Sequence, residues 1–463
     1  MALIKSISGF RGTIGGKVGE NFTPIDVVIL TSAYAQWLKL QYPNKKLKVV
    51  VGRDARISGE MVASLVVGSL LGSGIDVVNI GLATTPSTEL AVVHSNADGG
   101  IIITASHNPK QWNALKLLNN KGEFLNSAEG KTLLAIADKS EYLFPEIDET
   151  GKITEEYNFD EIHIKMVIEN RFVDVDAIRN AKFKIVVDAV NSVGGIIIPQ
   201  LLSKLGVDVV ELNCEPTGNF AHNPEPLPEN LLEISRKVVE EKANLGVVVD
   251  PDVDRLALVC EDGKMFGEEY TLVSVADYIL SKERGNAVSN LSSSRALMDV
   301  TEKHGGQYFA AAVGEVNVVA KMKETGAIIG GEGNGGVILP EFHYGRDALI
   351  GIALFLTNLA NKNVKASELR ATYPDYFMSK NKIELTPNIN TDKIFEKIKQ
   401  KYSAQRITDI DGVKIDFDKE KMWVLLRKSN TEPIIRIFSE ANNAAAAAKL
   451  AKKIIEDINE FMC

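Results

Sequence analysis

Cysteine is scarce, with three in 463 residues. Cys214, Cys260 and Cys463 are odd in number and far apart, so they build neither a disulfide framework nor a zinc knuckle. A reducing, cytoplasmic setting is therefore expected. Basic charge is also in deficit: Lys and Arg number 52 against 61 Asp and Glu, a formal net charge of -9. The general positive field of a nucleic-acid binder is missing, and no nucleic-acid partner is expected. No apolar run approaches the ~18 residues of a membrane span. The start, from Met1 to Arg11, lacks the charged segment and long apolar stretch of a secretory signal, so no membrane association is expected. Low-complexity sequence is confined to Ala444 to Ala448, which reads as helix.

What is present is the balance of an ordinary globular chain, 45% apolar and 24% charged. At roughly 100–200 residues per domain, the length allows two to four domains. Short β-branched runs alternate with amphipathic stretches. Lys48 to Val51, ended by Gly52, reads as a strand, Glu60 to Leu71 as a helix, and Ile75 to Val78 as the next strand. Such alternation predicts βαβ units and a mostly parallel sheet. A similar unit follows, with Lys184 to Asp188, a helix from Ile196, and Gly206-Val207-Asp208-Val209-Val210 echoing Gly74-Ile75-Asp76-Val77-Val78. This is either an internal repeat or the common look of two βαβ units. A third α/β region runs from about Leu256 to Asn361. Beyond it the chain reads as α+β, with strands at Met422 to Leu426 and Ile434 to Phe438 and a helix from Asn442. The expected domains are 1–153, 154–256 and 257–370, all α/β, and 371–463, α+β.

Four loops could carry chemistry. Thr104-Ala105-Ser106-His107-Asn108-Pro109 follows the apolar run Gly100 to Ile103, and a serine ejected from a strand end is where a nucleophile would sit. Ala105 and His107 flank it where a hydrolase elbow needs glycines at two-residue spacing, so a Ser-His-Asp hydrolase is disfavoured. A polar turn ended by Asn-Pro is the plainer reading. Asp250-Pro251-Asp252-Val253-Asp254-Arg255 lies between two strand-like runs. Carboxylates at i, i+2 and i+4 of an extended segment repel unless a cation neutralises them, and oxygen-only ligands favour Mg²⁺, Ca²⁺ or Mn²⁺ over Zn²⁺. An EF-hand is excluded: its sixth position must be Gly, and here it is Arg255. A phosphatase of the haloacid-dehalogenase type also places Asp-x-Asp after a strand, but it usually carries Thr or Val where this chain has Asp254.

The third loop, Gly330-Gly331-Glu332-Gly333-Asn334-Gly335-Gly336, matches a dinucleotide fingerprint only literally, because Val337-Ile338-Leu339 after it is strand-like rather than helical. It reads either as a flexible loop that offers Glu332 and Asn334 to vicinal hydroxyls or as a structural glycine turn. The fourth, Arg427-Lys428-Ser429-Asn430-Thr431-Glu432-Pro433 with Arg436 beyond, suits an oxyanion such as phosphate. A capping box from Ser429 to Glu432 competes, but Pro433 and the β-branched Ile434-Ile435 disfavour a helix there.

In this order the four loops resemble the α-D-phosphohexomutase superfamily, over the whole chain. Thr104 to Pro109 is similar to its phosphoserine signature, Asp250 to Arg255 to its metal loop, the Glu332 loop to its sugar-specificity loop, and Arg427 to Pro433 to its phosphate-binding loop. The resemblance implies four domains around a central cleft, three alike and one different, each supplying one loop. It implies that Ser106, as phosphoserine, exchanges its phosphoryl group with a hexose or hexosamine phosphate through a sugar bisphosphate. One Mg²⁺ would be held by Asp250, Asp252, Asp254 and the Ser106 phosphoryl group. Lys116, ten residues past Ser106, falls where the family has its candidate general acid/base. Arg11, in Gly9-Phe10-Arg11-Gly12, matches an N-terminal arginine of the same site. His107 and Arg255 would support the chemistry, and Glu332, Asn334, Arg427, Ser429, Asn430, Thr431 and Arg436 would bind substrate. Bacterial phosphomanno/phosphoglucomutases and phosphoglucosamine mutases usually carry Glu-x-Ser-Gly-His in the sugar loop. Here Asn334 replaces Ser and Gly336 replaces His, as in the phosphoglucosamine-mutase-like branch, so the expected reaction interconverts glucosamine 6-phosphate and glucosamine 1-phosphate. Glucose or mannose phosphates are the alternative substrates; a metal-dependent phosphatase or a non-catalytic sugar-phosphate sensor is a remoter reading. The chain is expected to act as a monomer or homodimer.

Overall fold

The valine run at residue 48 forms strand Lys48–Arg53, and its alternate side chains leave the sheet on opposite faces. Val49 and Val51 join Ile101 and Ile103 in one buried cluster, and Val50 joins Ile102 in another. A strand covered on both sides reads as a continuous apolar run, which is why period-two alternation is absent here. The sheet is seven-stranded, in the order Ile4–Ser6, Gly9–Thr13, Trp112–Leu118, Gly99–Ile103, Lys48–Arg53, Asp76–Leu82, Ile153–Glu155. The last four of these are mutually parallel, and the others pair antiparallel. Contrary to expectation, Gly52 does not end its strand. A Cβ there would lie 2.4 Å from Thr88 Oγ1, so the glycine admits a helix against the sheet rather than a turn.

This computed structural model describes residues 3–6, 9–385, 390–429 and 433–462. The chain divides into two compact units, residues 1–271 with 335–368, and residues 272–334 with 369–463. The first unit holds the seven-stranded sheet and a four-stranded one, ordered Leu256–Cys260, Leu245–Val249, Lys184–Asp188, Asp208–Leu212. Leu245–Val249 and Leu256–Cys260 form an antiparallel hairpin, and its tip is the Asp250 loop. Gly74 and Gly206, the matched glycines of the two similar units, share a left-handed φ of 78° and 76°. Each turns a helix end into a strand that pairs parallel with its predecessor. Strand Gly336–Ile338 and helix Ala348–Lys362 complete this unit.

In the second unit three parallel strands run in the order Tyr308–Ala311, Asn286–Asn290, Ala327–Glu332. A five-stranded antiparallel sheet follows, ordered Phe377–Glu384, Ile434–Ala441, Met422–Lys428, Val413–Phe417, Arg406–Thr408. Helices Thr391–Lys401 and Ala444–Met462 cover one face through Ile394, Ile398, Ile454 and Ile458, which pack on Val424 and Leu426. The alternate residues Trp423 and Leu425 face Leu291 on the other side. The fold is thus α/β with mixed, mostly parallel sheets, followed by an α+β C-terminal part. Among the described residues no helix is long and apolar enough to cross a membrane. Neither Cys214 nor Cys260 is in a disulfide among the described residues; burial pushes the Cys214 thiol up to about 12, which disfavours its thiolate, and Cys463 lies outside the described residues.

Candidate active site

Strand Gly99–Ile103 is buried throughout, and the polar residues after it leave the sheet at its carboxyl end. The chain turns at Ser106, whose φ of 48° is left-handed and unfavourable for a residue with a Cβ. The Thr104 hydroxyl secures the turn, accepting from Ser106 N (2.9 Å) and donating to Asp54 Oδ2 (2.7 Å). Arg56 secures it from beneath. Its buried guanidinium pairs with Asp54 (3.0 Å) and donates to the carbonyls of Ser106 (2.5 Å), Asn108 (2.6 Å), Pro109 (2.9 Å) and Trp112 (3.0 Å). Burial raises the Asp54 pKa, against the pull of Arg56 and Thr104.

The hairpin tip faces this loop. Asp250, Asp252 and Asp254 are all fully buried, and one oxygen from each lies within 4.8 Å of the others. Val253 between them also has a left-handed φ, 64°, which is rarer still for a β-branched residue. Ser106 Oγ donates to Asp250 Oδ2 at 2.7 Å, while Asp250 Oδ1 accepts from the backbone of Asp254 and Arg255 (3.2 and 3.1 Å). Lys116 Nζ bridges Asp252 Oδ2 (2.6 Å) and Asp254 Oδ2 (3.2 Å). Thr85 Oγ1 also donates to Asp252 Oδ2 (2.5 Å), and Arg346 Nη2 to Asp254 Oδ2 (2.7 Å). Among the described residues, Oδ1 of Asp252 and Oδ1 of Asp254 are buried without a hydrogen-bond partner. Orphaned carboxylate oxygens beside a third carboxylate are unfavourable unless a hard cation accepts them, so the residues fit a divalent ion such as Mg²⁺.

The titration of these groups follows the crowding. Burial, then the charges of Asp254 and Asp252, push the Asp250 carboxyl well up. For Asp252 burial also acts upward, but the Lys116 ammonium and the hydrogen bonds from Thr85 and Asp250 together outweigh it and hold the carboxyl below its usual range. Burial acts downward on Lys116, and the two carboxylates outweigh it, so the ammonium holds its proton more tightly than usual. His107, whose Nδ1 is 3.3 Å from Ser106 Oγ, is driven down to about 3 by burial and then by Arg255, so its ring is neutral. Arg255 lies 4.0 Å from both Asp254 and Glu225. Arg11 is exposed on strand Gly9–Thr13, directly across from Ala114, which puts it on the same sheet face as Lys116.

Glu332, Asn334, Arg427, Ser429 and Arg436 all belong to the second unit. Glu332 was expected in a flexible loop, but it ends strand Ala327–Glu332 and is buried. Its Oε1 accepts from Asn290 Nδ2 (2.7 Å) and Gly314 N (3.2 Å), so the turn proper begins at Gly333, whose N–H donates to Ser293 Oγ (3.0 Å). Arg427 likewise lies in strand Met422–Lys428 rather than in a loop, directly across from Arg436 on the neighbouring strand. Like charges in that register repel, and an anion between them relieves the repulsion. Asp411 joins these two regions, accepting from Arg427 Nε (2.9 Å) and from Val313 N (3.0 Å), next to Gly314. Ser429 N donates to Ile434 O (3.0 Å), while Asn430 and Thr431 lie outside the described residues.

Sequence reasoning missed Arg56, Thr85, Arg346 and Asp411. Only Arg56, two residues past Asp54 after a buried strand, carried a local signal.

Comparison with known proteins matches four domains in succession: phosphoglucomutase/phosphomannomutase alpha/beta/alpha domains I (residues 5–143), II (161–263) and III (267–376), and the C-terminal domain (384–457). A phosphoglucomutase/phosphomannomutase of Thermococcus kodakarensis is 37% identical over 96% of this chain and 98% of its own length. A phosphoglucosamine/phosphogalactosamine mutase of Sulfurisphaera tokodaii is 33% identical over 96% of this chain and 98% of its own. The crystal structure of a phosphoglucomutase/phosphomannomutase family protein from Burkholderia thailandensis superposes with a TM-score of 0.84 at 25% identity, covering 99% of this chain and 98% of that one.

Proposed function

The chain belongs to the phosphoglucomutase/phosphomannomutase family, within the α-D-phosphohexomutases, and from that premise we propose that it interconverts glucosamine 6-phosphate and glucosamine 1-phosphate through a phosphoserine at Ser106. Enzymes of this family are isomerases that transfer phosphate intramolecularly. The observation that carries the reading is the Ser106 hydroxyl on Asp250, within a buried carboxylate cage in which two oxygens lack a hydrogen bond among the described residues.

Asp250, Asp252 and Asp254 would hold Mg²⁺, which when bound offsets charge on the phosphoryl group in transfer. Phosphorylated Ser106 gives its phosphoryl group to a free hydroxyl of the sugar phosphate: the new P–O bond forms as the bond to Oγ breaks. The hydroxyl proton must end on Oγ: Lys116, protonated at the start, gives its proton to the departing Oγ and takes the one the hydroxyl loses, and neutral His107 orients Oγ. The resulting bisphosphate reorients, and Oγ then takes the other phosphoryl group, which restores the enzyme. Arg427 and Arg436, with Ser429, Asn430 and Thr431, hold the phosphate that is not reacting, while Glu332 and Asn334 meet the sugar hydroxyls. Arg11 and Arg255 add positive charge around the reacting phosphate.

Glucosamine is favoured by Asn334 and Gly336 in the sugar loop and by the name of the Sulfurisphaera relative. Glucose and mannose phosphates are the second reading, favoured by the name of the Thermococcus relative. Intact-mass measurement should find one phosphate on Ser106, and Ser106→Ala should lose both the phosphate and turnover. A variant that keeps its activity would point to a phosphatase acting through Asp250. A coupled assay on the 1-phosphates of glucosamine, glucose and mannose should rank glucosamine first; equal rates would refute the substrate assignment.

A further inference from the structure

A second set of ionisable side chains is buried in the same unit as the aspartate loop. Its centre is Asp347, which is fully buried and caps helix Ala348–Lys362: Oδ1 accepts from Leu349 N (2.7 Å) and Ile350 N (3.3 Å). Its other oxygen, Oδ2, meets two imidazoles, His163 Nε2 at 2.9 Å and His343 Nε2 at 3.1 Å. A carboxylate only accepts, so both nitrogens donate to it. The far nitrogen of His163 meets Ser87 Oγ (2.9 Å), and that of His343 meets Glu89 Oε2 (3.3 Å). The packing leaves no room at Gly345, where a Cβ would fall 1.7 Å from Glu89 Oε2 and 2.8 Å from His343 Cε1.

Removing one partner of a buried ionic cluster is costly, so its members hold one another in place, and its attachments pass that restraint on. Arg346, next to Asp347, donates to Asp254 Oδ2 (2.7 Å), and Ala348 N, on the other side, donates to Val253 O (3.2 Å). From the Ser87 end, Thr85 N donates to Asp252 O (2.9 Å) and Thr85 Oγ1 to Asp252 Oδ2 (2.5 Å). The cluster therefore grips three consecutive residues of the aspartate loop from two helix N-termini. One of the three is Val253, whose left-handed backbone needs restraint from outside the loop.

We propose that Glu89, His343, Asp347, His163 and Ser87 form a positioning network that holds the Asp252–Asp254 segment in its metal-ligating geometry, acting through Arg346, Ala348 and Thr85. The inference rests on the reading of Asp250, Asp252 and Asp254 as a divalent-cation site. It is tested by titrating the metal-free full-length chain with Mn²⁺, followed by electron paramagnetic resonance, alongside kcat and KM with glucosamine 1-phosphate. Partners that orient metal ligands typically contribute 10–100-fold to affinity or activity. His163→Leu and His343→Leu should each weaken Mn²⁺ binding by about tenfold and lower kcat similarly, with KM within about twofold of wild type. His163→Gln and His343→Gln, which keep an amide donor where Nε2 stood, should recover most of that loss. Leucine variants that bind Mn²⁺ as well as wild type, or glutamine variants that lose as much as the leucines, overturn the proposal. Should the leucine variants not fold, Asp347→Asn carries the test, because asparagine still caps the helix. A similar weakening there supports the network, and unchanged affinity overturns it. A wild-type chain that binds no Mn²⁺ overturns the metal reading and this inference with it.

Discussion

Ser106 is held in place by buried residues beneath its turn. Arg56 gives hydrogen bonds to four carbonyls around the serine turn and pairs with Asp54, all out of water. A lysine has neither the forked geometry nor the number of donors to replace it. Arg56→Lys should therefore destabilise the protein by about 3 kcal/mol, the order seen when one partner of a buried ion pair is lost, as read from urea unfolding. Asp411 is the counterpart in the second unit, fixing Arg427 through Nε. Asp411→Ala removes a charge-assisted hydrogen bond of about 1.5 kcal/mol, so KM for the sugar phosphate should rise roughly tenfold while kcat changes far less. An unchanged KM would argue against Arg427 as a phosphate ligand. Arg56 left only a faint signal, its spacing from Asp54, and Asp411 left none, because what each braces is brought to it by the fold. Ser106 and the three aspartates were legible because their chemistry is local: a polar turn after a buried strand, and carboxylates spaced to converge.

At the scale of elements, the structure mostly lengthens what the sequence outlined. Strand Lys48–Arg53 runs through its glycine, and the sugar loop shortens because Glu332 remains in its strand. Both differences arise from tertiary packing: Thr88 presses on Gly52, and Asn290 and Gly314 bind the Glu332 carboxylate. The N-terminus of helix Ala348–Lys362 gives a pH prediction. Burial works against charge on His343, but bonds to Asp347 and Glu89 outweigh it and lift its pKa from 6.5 to about 9. Because the folded state binds this proton more tightly, the stabilisation is complete below about pH 6.5 and is lost as pH rises through about 9. A shift of that size corresponds to roughly 3 kcal/mol. Asp347 is held below its usual range, since the two imidazoles outweigh its burial, so its own contribution is complete at neutral pH and is lost progressively as pH falls below about 4. Unfolding free energy should fall between pH 7 and pH 10, and His343→Gln should flatten that slope. A wild-type slope that survives the substitution would assign it elsewhere.

For the whole molecule, the net charge of -9 says little about the site. Three of its carboxylates are buried in one cage, with Lys116 and Arg346 set against them. A cation that binds the folded state but not the unfolded chain stabilises it by about 2.7 kcal/mol at a hundred times its dissociation constant. Saturating Mg²⁺ should therefore raise the melting temperature of the unit that holds the cage by about 5 °C. EDTA should reverse the gain, and Asp252→Asn should abolish it. No shift in differential scanning fluorimetry would remove the cage from consideration as a metal site.

The sequence by itself determined the α/β alternation, the change to α+β near the end, and the identity and order of four polar loops. These depend on side-chain periodicity and on groups close together in the chain. Only the tertiary structure decided which cations face the aspartates and how the loops are braced. Lys116, Thr85 and Arg346 reach the Asp250 loop from segments about a hundred residues or more away, and His163 meets Asp347 from 184 residues away. Such convergence is set by how helices and sheets pack, and no local spacing encodes it.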